Sequence, residues 1–161
     1  MREYSTFFGW RVAWAAFVVA IFGWGAGFYG PPVFLHAVVE RTGWSITLVS
    51  SAVTVHFLCG AILVANSSLV YDRFGIAKVT FTGALLLALG VLGWSVAASP
   101  WQLFVAALLS GCIWVLLGAI AMNRILSPRF EKKRSAALSL AYNGSSLGGV
   151  LFSPLWVALI A

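Results

Sequence analysis

The sequence predicts an all-α membrane protein that crosses the bilayer several times. Of its 161 residues, 61% are hydrophobic and only 9% are charged, and the mean hydropathy is +0.98. About a quarter of the residues in soluble globular chains are charged, so this composition excludes that class. The apolar stretches do not alternate with polar residues, which excludes the short alternating strands of a membrane β-barrel.

Four long runs without formal charge determine the number of spans. They cover residues 12–39, 42–71, 79–123 and 135–161. A bilayer core about 30 Å thick needs roughly 20 helical residues, and each run is long enough. The third run has 45 residues, more than twice the required length, so its chain must fold back.

Pro100 marks the turn within the third run. The residue before a proline disfavours helix, and proline itself suits the first position of a new helix. Five spans result, in a single domain that covers residues 1–161. Their approximate bounds are 8–29, 45–70, 79–98, 101–123 and 135–160.

The first run is predicted to be a retained span and not a cleaved signal peptide. It has no small-x-small cleavage site, and it exceeds the apolar core of about 7–15 residues that signal peptides have. Cys59 and Cys112 both fall inside spans, so no disulfide framework is indicated. His56 is the only imidazole within a span, so we expect no metal site, and no cofactor is indicated.

Basic residues are distributed very unequally between the two sides of the membrane. With five spans, nine of the ten Lys and Arg residues fall on the side of the N-terminus, and only Arg41 falls on the other. Cytoplasmic loops carry the excess of Lys and Arg, so the N-terminus and the loops 71–78 and 124–134 are predicted to be cytoplasmic. We expect a bacterial inner (plasma) membrane, and the net charge of +6 indicates anionic lipids and not nucleic acid.

The cytoplasmic stretch SLVYDRFGIAKV resembles the signature loop of the major facilitator superfamily. That motif, Gly-x-Leu-x-Asp-Arg-x-Gly-Arg-Lys, joins spans two and three. Asp72, Arg73 and Gly75 match it, and Lys78 lies close to its last basic positions. The resemblance implies that these residues belong to a cytoplasmic charge network that holds the outward-facing state. An ordinary positive-inside connection is the alternative. The departures from the motif are Ser68, Val70, Ile76 and Ala77.

Two longer stretches are similar to the monocarboxylate and oxalate/formate branch of that superfamily. The first span shares a leading Gly-Trp, an aromatic-Gly turn near its outer end, and the Gly-Trp-Ser that opens span two. The link from span four to span five shares a basic run, Ala-Leu, a Gly-rich stretch and a Pro. The resemblance implies a fold of twelve spans in two six-span bundles, with solute bound between them near the midplane.

Within that fold, the chain is expected to be an incomplete N-terminal bundle that lacks span six and the second half. A truncated gene, a partial reading frame or a cut chain would each produce it. The implied function is transport of a small organic solute by alternating access, and a monocarboxylate is the candidate. The alternative is a truncated, non-transporting membrane subunit or structural bundle. We do not expect enzymatic activity, because the four Asp and Glu residues are scattered along the chain and none lies within a span.

Polar and aromatic residues inside the spans are the candidate cavity residues, because embedded polar groups are costly and often functional. His56 is either a neutral imidazole bonded to another helix, or a contact for a proton or solute. Asn143 either bonds across helices or binds a carboxylate, and Arg124 either snorkels to the headgroups or guides an anion. Trp24 and Tyr29 line either the outer cavity or an interfacial belt.

Glycines form a second group of candidates. Gly23 and Gly27 in span one, and Gly144 and Gly148 in span five, create small-x-x-x-small faces that let helices approach closely. Two interpretations stay open at these positions. The glycines serve packing alone, or they also let span one bend or slide as access alternates.

Overall fold

A computed structural model describes residues 2–130 and 133–160, and the side chains of residues 8–130 and 133–159. All regular structure in these ranges is helical. The α-helices are α1 Arg2–Gly27, α2 Gly30–Thr42, α3 Ile46–Phe74, α4 Ile76–Val96, α5 Pro100–Trp114, α6 Ala119–Leu126 and α7 Arg134–Ile160. Two 3₁₀ turns, Val115–Leu117 and Ser127–Arg129, flank α6.

Within the described residues, four helical segments are long and apolar enough to cross a membrane: Phe8–Thr42, Ile46–Phe74, Ile76–Val96 and Pro100–Arg129. α7, the predicted fifth span, has 27 residues, about 40 Å at 1.5 Å per residue, but it is not among the four. Its middle is rich in Asn, Ser and Gly, which lowers its hydropathy. The predicted count of five therefore exceeds the count from length and composition by one.

The predicted cytoplasmic loop 71–78 is a joint of a single residue. α3 continues to Phe74 and α4 begins at Ile76, so only Gly75 separates the two helices. Its φ of 77° and ψ of 156° fall in a region that is almost reserved for glycine. Two of the basic residues predicted to be cytoplasmic fall outside the described part of the chain, namely Lys132 and the side chain of Arg2.

The first span does not end near residue 29, as predicted, but is broken there and continues as α2. Pro31 has no N–H, so the carbonyl of Gly27, four residues earlier, cannot form its helical hydrogen bond. His56 of α3 takes that place, with Nε2 2.8 Å from the Gly27 oxygen. Its Nδ1 lies 2.9 Å from the Ser110 hydroxyl of α5, and its side chain is fully buried.

A second carbonyl at the same break is also bonded by a neighbouring helix. The N–H of Tyr29 donates to the carbonyl of Trp24, at 3.0 Å, one residue further back than in an α-helix. The carbonyl of Gly25 therefore loses its usual donor and accepts from the indole N–H of Trp156 on α7, at 3.1 Å. Side chains from α3 and α7 thus replace the backbone hydrogen bonds of the broken first span.

The fourth span, predicted as one helix over 101–123, is broken as well. The 3₁₀ turn Val115–Leu117 and Gly118 separate α5 from α6, and Gly118 has non-helical angles, with φ −94° and ψ −143°. The carbonyl of Leu116 accepts from the hydroxyl of Tyr71 on α3, at 2.5 Å. α3 therefore contributes one hydrogen-bonding side chain to each of the two breaks.

Glycines mark the closest helix contacts. On α7, a Cβ added at Gly144 would collide with the Phe17 carbonyl of α1, and one at Gly148 would lie 2.5 Å from the Ile21 oxygen. Gly23 faces the fourth span, where an added Cβ would lie 3.1 Å from Cβ of Leu117. α1 thus packs along α7 on one side and against the broken fourth span on the other.

α5 packs between α3 and α4. The backbone of α5 at Gly111 lies directly against that of His56 on α3, and Gly90 of α4 lies against Ser110. The indole N–H of Trp94 donates to the Ser110 hydroxyl, at 3.1 Å, so Ser110 joins three helices. The surrounding core contains Phe34, Val38, Val49, Ala52, Leu103, Ala106 and Ala107.

Arg41, the one basic residue predicted to lie on the outer side, caps a helix. Its Nη2 donates to the carbonyls of Trp94 and Ala97, at 3.2 and 3.1 Å. These groups lie at the C-terminal end of α4, where carbonyls have no helical donor and a cation is favourable. Arg41 therefore serves the end of a neighbouring helix.

We predict that His56→Phe destabilises the bundle by about 1–3 kcal/mol, because the buried Gly27 carbonyl loses its donor. His56→Gln retains an N–H donor and should recover part of the loss. The measurement is the free energy of unfolding in mixed detergent micelles. Asn66→Leu is the control, since Asn66 is exposed and donates only within α3, to Ile62. Equal stability of His56→Phe and the control would contradict the assignment.

We also predict that Gly144→Ala costs about 1–3 kcal/mol, the usual range for overpacking. The added methyl would meet the Phe17 carbonyl and force α1 and α7 apart. Thermal unfolding of purified protein, followed by circular dichroism, gives the comparison with Ser146→Thr, which adds a methyl at an exposed position of the same helix. A Gly144→Ala protein that melts with the control would show that this contact is not tight.

Candidate functional site

The breaks in spans one and four meet at a reciprocal contact between tryptophan and glycine. Trp114, at the end of α5, lies against Gly27, where an added Cβ would collide with its side chain. Trp24 of α1 lies against Gly118, with Nε1 3.5 Å from the position of an added Cβ. The two indole rings are 5.6 Å apart between centroids and nearly perpendicular, at 78°.

Phenylalanine rings complete an aromatic cluster of Trp24, Phe28, Phe57 and Trp114. The Phe28 ring lies 5.2 Å from that of Trp24, 5.6 Å from that of Trp114 and 5.8 Å from that of Phe57. Phe28 is 37% exposed, so the cluster is open on one side. The indole nitrogens of Trp24 and Trp114 are buried and have no hydrogen-bond partner among the described residues.

An ion pair lies near the C-terminal end of the fourth span, on α6. Arg124 Nη1 donates to Asp72 Oδ1 at 2.6 Å, and the Arg124 guanidinium lies 5.4 Å from the centroid of the Tyr71 ring. Asp72 is 67% exposed and Arg124 32%, so the carboxylate has room for a further partner. The structure therefore places Arg124, a predicted cavity residue, in contact with the predicted charge network.

The other predicted members of that network stand apart from the ion pair. Arg73 is exposed, and its guanidinium lies 5.6 Å from the centroid of the Phe74 ring. Lys78 is exposed on the first turn of α4. Gly75 contributes a backbone turn and brings α3 and α4 together at this end.

The remaining cavity candidates differ in their surroundings. Asn143 is exposed on α7, whereas its neighbour Tyr142 accepts a hydrogen bond from Asn123 of α6, at 2.7 Å. Tyr29 lies over Gly149 of α7, with ring carbons 2.7–3.2 Å from an added Cβ. His56 is enclosed by α1 and α5, as described above.

Sequence patterns did not reveal several residues at these contacts: Ser110, Trp114, Trp156, Tyr71 and Asn123. Each is a single polar or aromatic residue within an apolar run or at its end, so it does not interrupt the apolar pattern that predicts the span. One sequence signal could have revealed Trp114. In both broken spans a Trp is followed by a glycine three or four residues later, Trp24 by Gly27 and Trp114 by Gly118. In the described part of the chain, no group of three or more His, Cys, Asp or Glu residues could hold a metal ion.

Comparisons with known proteins agree with a transporter-like bundle. The chain is 32% identical over 133 residues to the aspyridones efflux protein of Emericella nidulans, covering 78% of this chain and 25% of that protein. It is 37% identical over 89 residues to monocarboxylate transporter 13 of Bos taurus, covering 55% and 21%. It is 28% identical over 121 residues to the multidrug resistance protein MdtH of Photorhabdus laumondii, covering 75% and 30%.

The chain thus spans about a quarter of the length of these curated relatives. No solved structure matches it. The model of the Major Facilitator Superfamily matches residues 13–161, nearly the whole chain. Members of this family are generally transporters and not enzymes, and they are embedded in membranes. The protein is an integral membrane protein that belongs to the major facilitator superfamily.

Proposed function

We propose that this chain forms most of the N-terminal bundle of a secondary transporter that moves a small organic solute by alternating access. The ion pair between Asp72 and Arg124 carries the proposal, because it ties the joint between α3 and α4 to the cytoplasmic end of the fourth span. The Asp72 carboxylate is two-thirds exposed, so it is available to a second bundle that closes against this end.

A monocarboxylate is the solute class that we favour. The support is the resemblance to the monocarboxylate branch and the similarity to a protein named monocarboxylate transporter 13. No formally charged side chain occurs over residues 79–123, so a carboxylate would meet neutral donors in the third and fourth spans. Two relatives are named for efflux or multidrug resistance, which makes a larger organic solute the second candidate.

The orientation and the missing partner belong to the same proposal. The nine-to-one distribution of basic residues supports a cytoplasmic N-terminus, and the bacterial plasma membrane stays a prediction. A span six and a second six-span bundle are the proposed partners of this bundle. If no such partner exists, the alternative function is that of a non-transporting membrane subunit.

We predict that Asp72→Asn lowers solute uptake at least tenfold, with membrane insertion unchanged, in a protein that carries this chain and its second bundle. The carboxylate acts on the balance between conformations, and its loss removes the charge partner of Arg124. Uptake and insertion are measured on the same membranes. Arg124→Gln should lower uptake similarly, and the double variant should be no worse than either alone, because both changes remove one interaction.

Lys133→Gln is the control for that series. It also removes an exposed charge of the predicted cytoplasmic surface, but in the described residues Lys133 forms no ion pair with Asp72 or Arg124. Its uptake should stay within about twofold of the unmodified protein. Additive losses for Asp72→Asn and Arg124→Gln would show that the two residues do not act as a pair.

We predict further that the 161-residue chain alone shows only background flux in liposomes. One bundle supplies one wall of a solute site that lies between two bundles. The assay uses labelled monocarboxylates under an imposed pH gradient, with protein-free liposomes as the baseline. Adding span six and the second bundle as a separate polypeptide should restore flux, because helices can insert first and associate afterwards. Saturable uptake by the chain alone would instead indicate a homo-oligomeric carrier.

A further inference from the structure

The two cysteines of the chain lie on neighbouring helices, next to the point where those helices touch. Cys59 of α3 and Cys112 of α5 are both free and half-buried. Each adjoins a glycine of the contact, where a Cβ added at Gly60 would lie 3.1 Å from the Gly111 carbonyl oxygen. Glycines let helices approach closely, and the two thiols interact directly across the contact. The second and fourth spans therefore share a dithiol.

This dithiol lies far from formal charge. Cys59 is near the middle of the uncharged run 42–71, and Cys112 is near the middle of the predicted span 101–123. A charge within the membrane is costly when nothing compensates it. A ligand that replaces the two thiol protons must therefore leave the site without net charge.

The number of donors limits the metal that the dithiol can bind. Within the described residues, no group of three or more His, Cys, Asp or Glu side chains lies together. His56, one turn before Cys59 on α3, is already bonded to Gly27 and Ser110. Zinc sites in proteins almost always have four ligands, so two thiols alone do not suit zinc. Thiolates select soft ions, and here the ion must be satisfied by two of them.

Charge then distinguishes between soft ions that accept two ligands. Two thiolates around a monovalent ion such as Cu(I) leave one negative charge, whereas two around a divalent ion such as Hg(II) leave none. A linear ion holds its two sulfurs about 4.6 Å apart, which is twice a metal–sulfur bond of about 2.3 Å. That spacing suits thiols that interact without being joined by a disulfide.

We propose that Cys59 and Cys112 form an intramembrane site for one soft divalent cation with linear coordination, of which Hg(II) is the type. With HgCl₂ as the source, two S–H bonds and two Hg–Cl bonds break and two Hg–S bonds form. Two protons and two chloride ions leave, and no electrons are transferred. The bound ion ties α3 to α5, and the site does not depend on the proposed transport function.

Access to the site is from the apolar surface of the bundle. Leu58 and Ile62 on α3, and Leu108 on α5, are 58%, 66% and 43% exposed. They lie within one turn of the half-buried thiols. A neutral, lipid-soluble species such as HgCl₂ can therefore reach the dithiol without crossing a charged region.

The test weighs the purified full chain after treatment with HgCl₂. The protein is reduced, reconstituted as single copies in lipid nanodiscs and freed of excess reagent, and its intact mass is measured. We expect a gain of one mercury with a loss of two hydrogens, which only a bridge between both thiols produces. Two mercury adducts on one chain would show that the thiols react independently, and would overturn the proposal.

Competition with another thiol tests the strength of the bridge. After dialysis against glutathione, the unmodified chain should keep at least tenfold more mercury than Cys59→Ser or Cys112→Ser, because two linked thiolates are displaced less readily than one. Each single variant should still bind methylmercury, which takes one thiolate, and this shows that the remaining thiol is accessible. Equal loss of mercury from all three proteins would contradict the site.

A matched control separates the two thiols. Cys112→Ser combined with Ser146→Cys keeps two thiols in the chain, but the second lies at an exposed position of α7. It should lose mercury as readily as the single variants. Retention equal to that of the unmodified chain would mean that the pairing of α3 with α5 is irrelevant, and would reject the proposal. The mass of the unmodified chain keeps the test independent of how the variants fold.

Discussion

The backbone of a membrane-spanning helix cannot leave a carbonyl without a donor, because the bilayer core offers no water. This constraint governs the centre of the bundle. Pro31 removes one donor from the first span, and the turn at Phe28–Tyr29 redirects another. The two carbonyls that result accept hydrogen bonds from His56 and Trp156, on α3 and α7. A break within one helix thus requires hydrogen-bond donors from the side chains of two others.

The same requirement accounts for the arrangement around α5. α3 and α5 approach to backbone contact where Gly111 lies against His56. Ser110, on the adjacent position, then contacts His56 and Trp94 at once. Small residues are therefore placed next to the polar ones that bond across helices. Close packing and hydrogen bonding between helices therefore occur at adjacent positions of α5.

Apolar length was enough to predict that the chain is built from long apolar helices, and Pro100 marked the turn between α4 and α5. Apolar length did not predict that the fourth span breaks at residues 115–118, since Val-Leu-Leu-Gly contains no proline and continues an apolar run. The pairing of Arg124 with Asp72 was not predicted, because the two residues lie 52 positions apart in the sequence. Pairings of that kind depend on how helices assemble, and only the fold reveals them. The rarity of His56 within an apolar run identified the residue, but its partners are a serine and a backbone oxygen, which leave no sequence signal.

α3 carries His56 and Tyr71, which bond to the breaks of the first and fourth spans. These residues are fifteen positions apart, so about 22 Å of helix separates them. A helix of that length behaves as a stiff rod, and a small rotation about its middle moves the two ends in opposite directions. Any rearrangement that lengthens one of these hydrogen bonds by tilting α3 therefore alters the other as well. α3 therefore couples the hydrogen bonds at the break of the first span to those at the break of the fourth span.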